Sequence, residues 1–223
     1  MSGQQGPVAP IGLDAGGRRA AAGGVRVVPM RPRHLRRVLA IEQRVYPRPW
    51  SPQAFADELE RDDRTYLVAQ LGGGRLRRRV VGYGGLLLQL GEAHVTTVAV
   101  DPAHHRRKVA THLLVGLLEW AREAGAAAAT LEVRAANYGA QRLYGAFGFV
   151  PEGVRPGYYR ETGEDAVIMW ARDLQGEDMA ARLAAQRARL SAPGGASGAP
   201  DHPVPWVSER VGLPARPGDD RGR

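Results

Sequence analysis

The strongest constraint on this chain is a change of rhythm and back again between residues 92 and 134. Glu92–Val100 (EAHVTTVAV) reads as a strand, and Asp101-Pro102 ends it. The residue before a proline is pushed away from helical angles, so the strand cannot run straight into a helix. Val109, Leu113, Leu114, Leu117, Leu118 and Trp120 then recur at helical spacing, and Gly125 stops that helix. Ala128–Arg134 resumes as a strand. A helix with one apolar stripe between two strands has to bury that stripe on a sheet.

The flanking segments extend the pattern. Val25–Met30 is a short apolar strand. Pro32 suits a first helical turn, after which Leu35, Val38, Leu39 and Ile41 follow helical spacing. The run Tyr46-Pro47-Arg48-Pro49-Trp50 breaks that helix. Ser51-Pro52, a helix cap followed by proline, opens a second one carrying Phe55 and Leu59. Thr65–Leu71 and Val80–Leu88 form a hairpin around Gly72-Gly73-Gly74. Tyr138–Ala146 is a short helix stopped by Gly148, and Phe149–Gly153 and Ala166–Arg172 are the last strands. The order is βααβββαβαββ, an α/β chain of the α+β mixed-sheet kind with helices on both faces.

That domain occupies residues 25–174. Residues 1–24 are rich in glycine and alanine without periodicity and read as a disordered tail. Residues 175–223 read as a flexible Pro/Gly-rich tail with a short helix at 179–190.

Composition narrows the chemistry. Cysteine is absent, which excludes disulfides, thiolate zinc sites and a cysteine nucleophile. His34, His104, His112 and His202 show no ligand spacing, so no metal is expected. No apolar run reaches the ~20 residues a spanning helix needs, and no compact apolar core near the start marks a secretion signal. The chain therefore reads as cytoplasmic, away from membranes, and as a monomer. The net charge is +8. Arg75, Arg77, Arg78 and Arg79 at the hairpin tip are a solvated loop, with contact to RNA or the ribosome as the sharper alternative.

Two stretches carry chemistry. In VAVDPAHHRRKVATHLL (98–114) a strand enters a basic loop that opens a helix. Amides at a helix start are unpaired and partly positive, which suits a pyrophosphate. In TLEVRAANYGAQRLYGAFGF (130–149) a strand ends at Arg134, Asn137 begins a helix and Tyr144 lies on it. Leu143, Phe147 and Phe149 read as core. Earlier, Glu92 and His94 alternate onto one strand face, as a surface pair, a secondary proton acceptor or a peptide contact.

The first stretch resembles motif A of the GNAT N-acetyltransferases, whose loop reads R/Q-x-x-G-x-G/A. His105 takes the first place and Ala110 the last, while Lys108 stands where the family has glycine. If that position needs a positive φ, lysine costs on the order of 1 kcal/mol there. The second stretch resembles the LEVR-x-x-N-x-x-A-x-x-LY-x-x-x-GF signature of the RimI-type members. Glu132, Asn137, Ala140, Tyr144, Gly148 and Phe149 all fall on its fixed places. Pro49-Trp50-Ser51 matches the turn after the first helix in these enzymes, and GYYRETGEDAVIM (157–169) looks like the segment that closes the peptide site. The resemblance covers about residues 27–174.

The resemblance implies acetyl-coenzyme A as co-substrate and a protein N-terminus as acceptor, namely the N-terminal alanine of a small-subunit ribosomal protein. It assigns Glu132 as the base and Tyr144 as the acid for the leaving thiolate. Backbone near Val98, Ala99 and Val100 faces the thioester. His105, Arg106, Arg107, Lys108, Val109, Ala110 and Thr111 hold the pyrophosphate, and Asn137 bonds the pantetheine arm or caps its helix. Tyr46, Trp50, Glu92, Tyr158 and Tyr159 line the acceptor site. Other readings are acetylation of lysine side chains or small amines, or a catalytically weak coenzyme- or ribosome-binding module, which the lysine at 108 suggests.

Overall fold

A computed structural model describes residues 24–72 and 78–192. The hairpin-tip residues Arg75 and Arg77, and the tails 1–23 and 193–223, lie outside the described residues. Seven strands form one sheet: β1 (Arg26–Pro29), β2 (Arg64–Leu71), β3 (Arg79–Gln89), β4 (Glu92–Val100), β5 (Ala128–Arg134), β6 (Val150–Tyr159) and β7 (Glu164–Ala171). Their spatial order is β1-β2-β3-β4-β5-β7-β6. Among the paired strands only β4 and β5 run parallel, and a helical crossover joins them.

The helices are α1 (Leu35–Val45), α2 (Pro52–Leu59), α3 (Val109–Glu123), α4 (Tyr138–Gly145) and α5 (Glu177–Ser191). They cover both faces and split the core in two. Val38, Ile41 and Phe55 from α1 and α2 pack with Tyr66, Val68 and Tyr83 on one face. On the other, Leu113, Leu114, Leu117 and Leu118 of α3 pack with Leu67, Val81, Leu131 and Phe149. Ser51 caps α2 through its hydroxyl, which accepts from the Ala54 N–H at 3.1 Å. Gly85 on β3 lies so close to Tyr66 that a Cβ there would sit 2.4 Å from the ring.

The structure departs from the sequence reading at two places. β6 continues to Tyr159 rather than ending at Gly153. Its pairing with β7 slips between Pro151 and Gly153 and again between Arg155 and Tyr159. Pro151, Pro156 and Gly157 cannot hold a regular ladder, so the alternation that marks a strand is lost although the strand persists. The packed unit also runs past residue 174. Met179 and Leu183 of α5 are buried in the α3-side core, Gln175 donates to the carbonyls of Arg122 and Ala126, and Arg187 pairs with Glu119. The expected helix is present, but it is docked against α3 rather than part of a flexible tail.

Candidate active site

β4 and β5 part company. Their ladder consists of Glu92↔Ala128, Ala93↔Ala129 and His94↔Thr130. Beyond those rungs β4 is paired with β3 and β5 with β7. The divergence starts where β4 gains a residue against β3: Leu86 faces Val95 while the next residue, Gly85, faces Thr97, so Thr96 is extra. Such a bulge bends and twists its strand.

The bulge also sets which backbone amides look into the gap. The Asp101 N–H donates to the Val81 carbonyl, on the β3 side. Amides alternate sides along a strand, so the N–H groups of Val98 and Val100 turn toward the gap that β5 has left. The side chains of Val98 and Val100 pack against the α3-side core, and Ala99 is buried on the α1 side.

At the open end, the chain passes from β4 into the basic loop. Asp101 is buried there, its carboxylate taking Arg37 at 3.0 Å, Arg44 at 3.3 Å and the Ala103 N–H at 3.2 Å. Burial works against its charge, but that N–H together with Arg44, His104 and Arg37 holds its carboxyl below the usual range. His105 reaches back to the Val100 carbonyl at 3.2 Å. Arg106 (φ 59°) and Lys108 (φ 56°) both take left-handed backbone angles, with exposed Arg107 between them, and Lys108 is the N-cap of α3. The left-handed turn required of the motif's glycine place is thus made by a lysine. The Lys108 ammonium points to the Arg189 carbonyl at the end of α5, 3.3 Å away, rather than plugging the gap. Val109, Ala110 and Thr111 form the first helical turn, whose amides have no intrahelical partner.

At the closed end lies Glu132, the first same-face residue of β5 after the last rung. Its side chain is 8% exposed. One oxygen lies 2.6 Å from His94 Nε2, and the other 3.4 Å from Arg155 on β6. Tyr159 faces this carboxylate, and Tyr158, Tyr46 and Tyr144 are in turn neighbours of Tyr159. Tyr159 interacts electrostatically with Glu132 and lies under the Arg134 guanidinium at 3.9 Å. Burial pushes its hydroxyl up to about 12. Tyr158 meets Tyr159 edge-on at 5.2 Å and is half exposed. Tyr46, at the end of α1, bonds Thr97 Oγ1 at 3.0 Å, and burial raises its hydroxyl too.

Tyr144 is buried against Phe149, ring centroids 6.0 Å apart. Burial, then the neighbouring Tyr46 and Tyr159, push its hydroxyl far above the ordinary phenol value. Such a phenol keeps its proton throughout the physiological range and serves as a donor, not a base. Sequence-expected residues from α1, β5, α4 and β6 therefore converge on one place.

One expected residue is not brought there, and a second takes the helix-cap role. Glu92 is exposed at the closed end of β4, where Arg172 is its electrostatic neighbour. Asn137 is exposed and caps α4, its side chain accepting from the Ala140 N–H at 3.1 Å. Trp50 is half exposed, packs on Phe55 at 5.2 Å and gives its backbone N–H to Glu42 at 3.1 Å.

Sequence reasoning missed four groups: Thr97, Arg155, Arg134 and Glu42. Glu42 was visible in principle, since it follows Val38 by four residues and shares its buried face. Burial raises the Glu42 carboxyl above its usual value, with the Trp50 N–H opposing. Among the described residues, no cluster of three or more His, Cys, Asp or Glu side chains could hold a metal ion, and no helix is long and apolar enough to cross a membrane.

The likenesses to known proteins agree with this geometry. Residues 35–149 match the model of the acetyltransferase (GNAT) family. The N-alpha-acetyltransferase RimI of Mycobacterium tuberculosis is 40% identical over 126 residues, 54% of this chain and 74% of that one. The ribosomal protein bS18-alanine N-acetyltransferase of Escherichia coli K12 is 34% identical over 131 residues, 58% of this chain and 84% of that one. The crystal structure of the ribosomal-protein-S18-alanine N-acetyltransferase from Escherichia coli superposes with a TM-score of 0.58 at 29% identity, covering 67% of this chain and 94% of that one. With the family model spanning just over half of its length and relatives at this level of identity, the chain belongs to the GNAT acetyltransferase family.

Proposed function

We propose that this enzyme transfers the acetyl group of acetyl-coenzyme A to the α-amino group of a protein N-terminus, and that its acceptor is the N-terminal alanine of a small-subunit ribosomal protein. The observation that carries the reading is the gap between β4 and β5. It has inward amides at Val98 and Val100, a basic loop with two left-handed residues at one end, and the Glu132–tyrosine cluster at the other. The named relatives supply the acceptor.

The residues present fit an acyl-coenzyme. The loop Arg106–Lys108 and the first turn of α3 offer amides and positive charge for a diphosphate. The Val98 and Val100 amides offer donors for the carbonyl oxygen as it gains negative charge. His105 is tied to Val100 and orders the loop's entry into the gap. Glu92 and Asn137 are assigned no ligand contact in this reading.

The chemistry follows from the same groups. A terminal ammonium has a pKa of ~7.7–8.0, so a proton must leave before attack. The Glu132 site, where His94 Nε2 lies 2.6 Å from the carboxylate, stands in the right place to draw it off, directly or through one water. The amine nitrogen then bonds the acetyl carbon and the carbon–sulfur bond breaks. Tyr144 gives its proton to the departing thiolate and recovers one from solvent. In this reading Tyr46, Tyr158 and Tyr159 wall the acceptor side, with Trp50, packed on Phe55, at its outer edge. An aromatic wall suits a chain terminus better than a mid-chain lysine, whose pKa of ~10.4 also asks more of the base.

An acceptor panel tests the reading. An alanine-starting peptide with a free terminus is expected to gain one acetyl group. The same peptide with a blocked terminus and an internal lysine is expected to gain none. Acetylation that survives blocking contradicts the reading.

A further inference from the structure

Two proton acceptors cannot rest 2.6 Å apart without a proton between them. His94 Nε2 and Glu132 Oε2 are at that distance, so they share one. His94 is the last residue of β4 still paired with β5, in register with Thr130, and Glu132 is the next residue of β5 on the same face. The pair therefore sits at the point where the two strands separate.

The other Glu132 oxygen faces the Arg155 guanidinium at 3.4 Å. One Glu132 oxygen is thus engaged by the shared proton and the other by a cation, which leaves the carboxylate a poorly placed acceptor for a further proton. An imidazole braced by a carboxylate is a better one. Imidazoles ordinarily titrate near ~6.5, carboxylates near ~4.3 and terminal amines near ~7.7–8.0, so proton transfer from the amine to an imidazole is the less uphill of the two.

Resting on the acetyl-transfer reading above, we propose that the proton acceptor of this enzyme is the His94–Glu132 pair, in which His94 carries the proton taken from the acceptor amine and Glu132 orients and charge-balances the resulting imidazolium. One amine N–H bond breaks and one N–H bond forms at His94 Nδ1, the ring nitrogen that does not share the proton with Glu132. Glu132 remains a carboxylate, and the proton leaves to solvent from His94, whose side chain is 17% exposed against 8% for Glu132. The charged and titratable groups around the pair are Arg155 and Tyr159 from β6, Arg134 along β5, Glu92 along β4 and Tyr46 from the end of α1. β3 opposes His94 with Leu87.

The test is the pH profile of kcat/KM on a free-terminus peptide, read with acetyl-coenzyme A affinity. In the parent enzyme the acid limb is expected in the imidazole range. His94→Gln is expected to lower kcat about 100-fold, to move the acid limb toward the carboxylate range, and to leave coenzyme affinity within about twofold. An unchanged pH profile in a folded His94→Gln overturns the proposal. Should that variant not fold, 15N NMR of the imidazoles in the parent protein decides: His94 is expected to titrate with the midpoint of the kinetic limb, and a mismatch overturns the pairing. If the parent enzyme acetylates no free-terminus peptide, it is the acceptor assignment that fails; a working parent with an indifferent His94 sinks only this proposal.

Discussion

Lys108 occupies the left-handed N-cap position of α3 and sends its ammonium to the Arg189 carbonyl, 3.3 Å away at the end of α5. The side chain that replaces the family's glycine is thereby drawn away from the cleft and toward the C-terminal helix.

Replacement at 108 separates backbone strain from side-chain contact. A left-handed angle costs a residue with a Cβ about 1–2 kcal/mol more than glycine. Lys108→Gly is expected to be more stable than Lys108→Ala by about 1 kcal/mol, roughly 2–4 °C in melting temperature for a unit of this size. Differential scanning calorimetry of the two variants checks it, and equal stabilities exclude strain at this position.

Asp101 ties α1 to the end of β4. Its folded carboxyl titrates below its unfolded value, so its contribution to stability is present above the unfolded pKa of ~3.9 and is lost as pH falls through the lower folded value. Asp101→Asn is expected to cost about 2 kcal/mol at pH 7, the scale of hydrogen bonds to a charged group. The difference from the parent is expected to shrink as both approach pH 3. Urea unfolding at the two pH values measures it.

Glu42 has the opposite sign. Burial raises its folded pKa, and one buried oxygen has no hydrogen-bond partner in the structure. Stability therefore falls as pH rises from the unfolded value of ~4.3 through the raised folded value. Glu42→Gln keeps an oxygen for the Trp50 N–H and removes the charge. It is expected to raise the melting temperature at pH 8 and to match the parent near pH 4, as thermal melts across that range will read.

The reacting groups are expected to affect turnover and not coenzyme capture. Glu132→Gln and Tyr144→Phe are each expected to lower kcat about 100-fold or more while acetyl-coenzyme A affinity stays within about twofold. Tyr144→Phe is also expected to keep the parent's melting temperature, because the ring packs on Phe149 and, among the described residues, its hydroxyl makes no hydrogen bond. Single-turnover kinetics with calorimetric binding separates the two effects.

The order of elements through β7 was legible because each leaves a local mark: alternation in Glu92–Val100, a 3.6-residue stripe in Val109–Glu123, Ser51-Pro52 at a helix start. Glu132 and Tyr144 were legible only through the company they keep in one signature. The gap between β4 and β5 was not legible, because it arises from a non-local slip, the extra Thr96 set against β3. The His94–Glu132 contact joins residues 38 apart in sequence and was visible only as a face of β4. The far half of β6, beyond Gly153, hid behind Pro156 and Gly157, which erase alternation without ending the strand. The docking of α5 was missed because Met179, Leu183 and Leu190 are its only large apolar residues in a run of alanine and arginine, and nothing local says what they will meet.

The most direct measurement is a crystal structure with a conjugate of coenzyme A and an alanine-starting peptide joined through the acetyl group. The diphosphate is expected against Arg106–Thr111, the acetyl oxygen on the inward amides of Val98 or Val100, and the alanine nitrogen between Glu132 and the Tyr46–Tyr159 wall. A conjugate whose peptide leaves the cleft on another side, or whose nitrogen lies away from Glu132 and His94, contradicts the mechanism at its base.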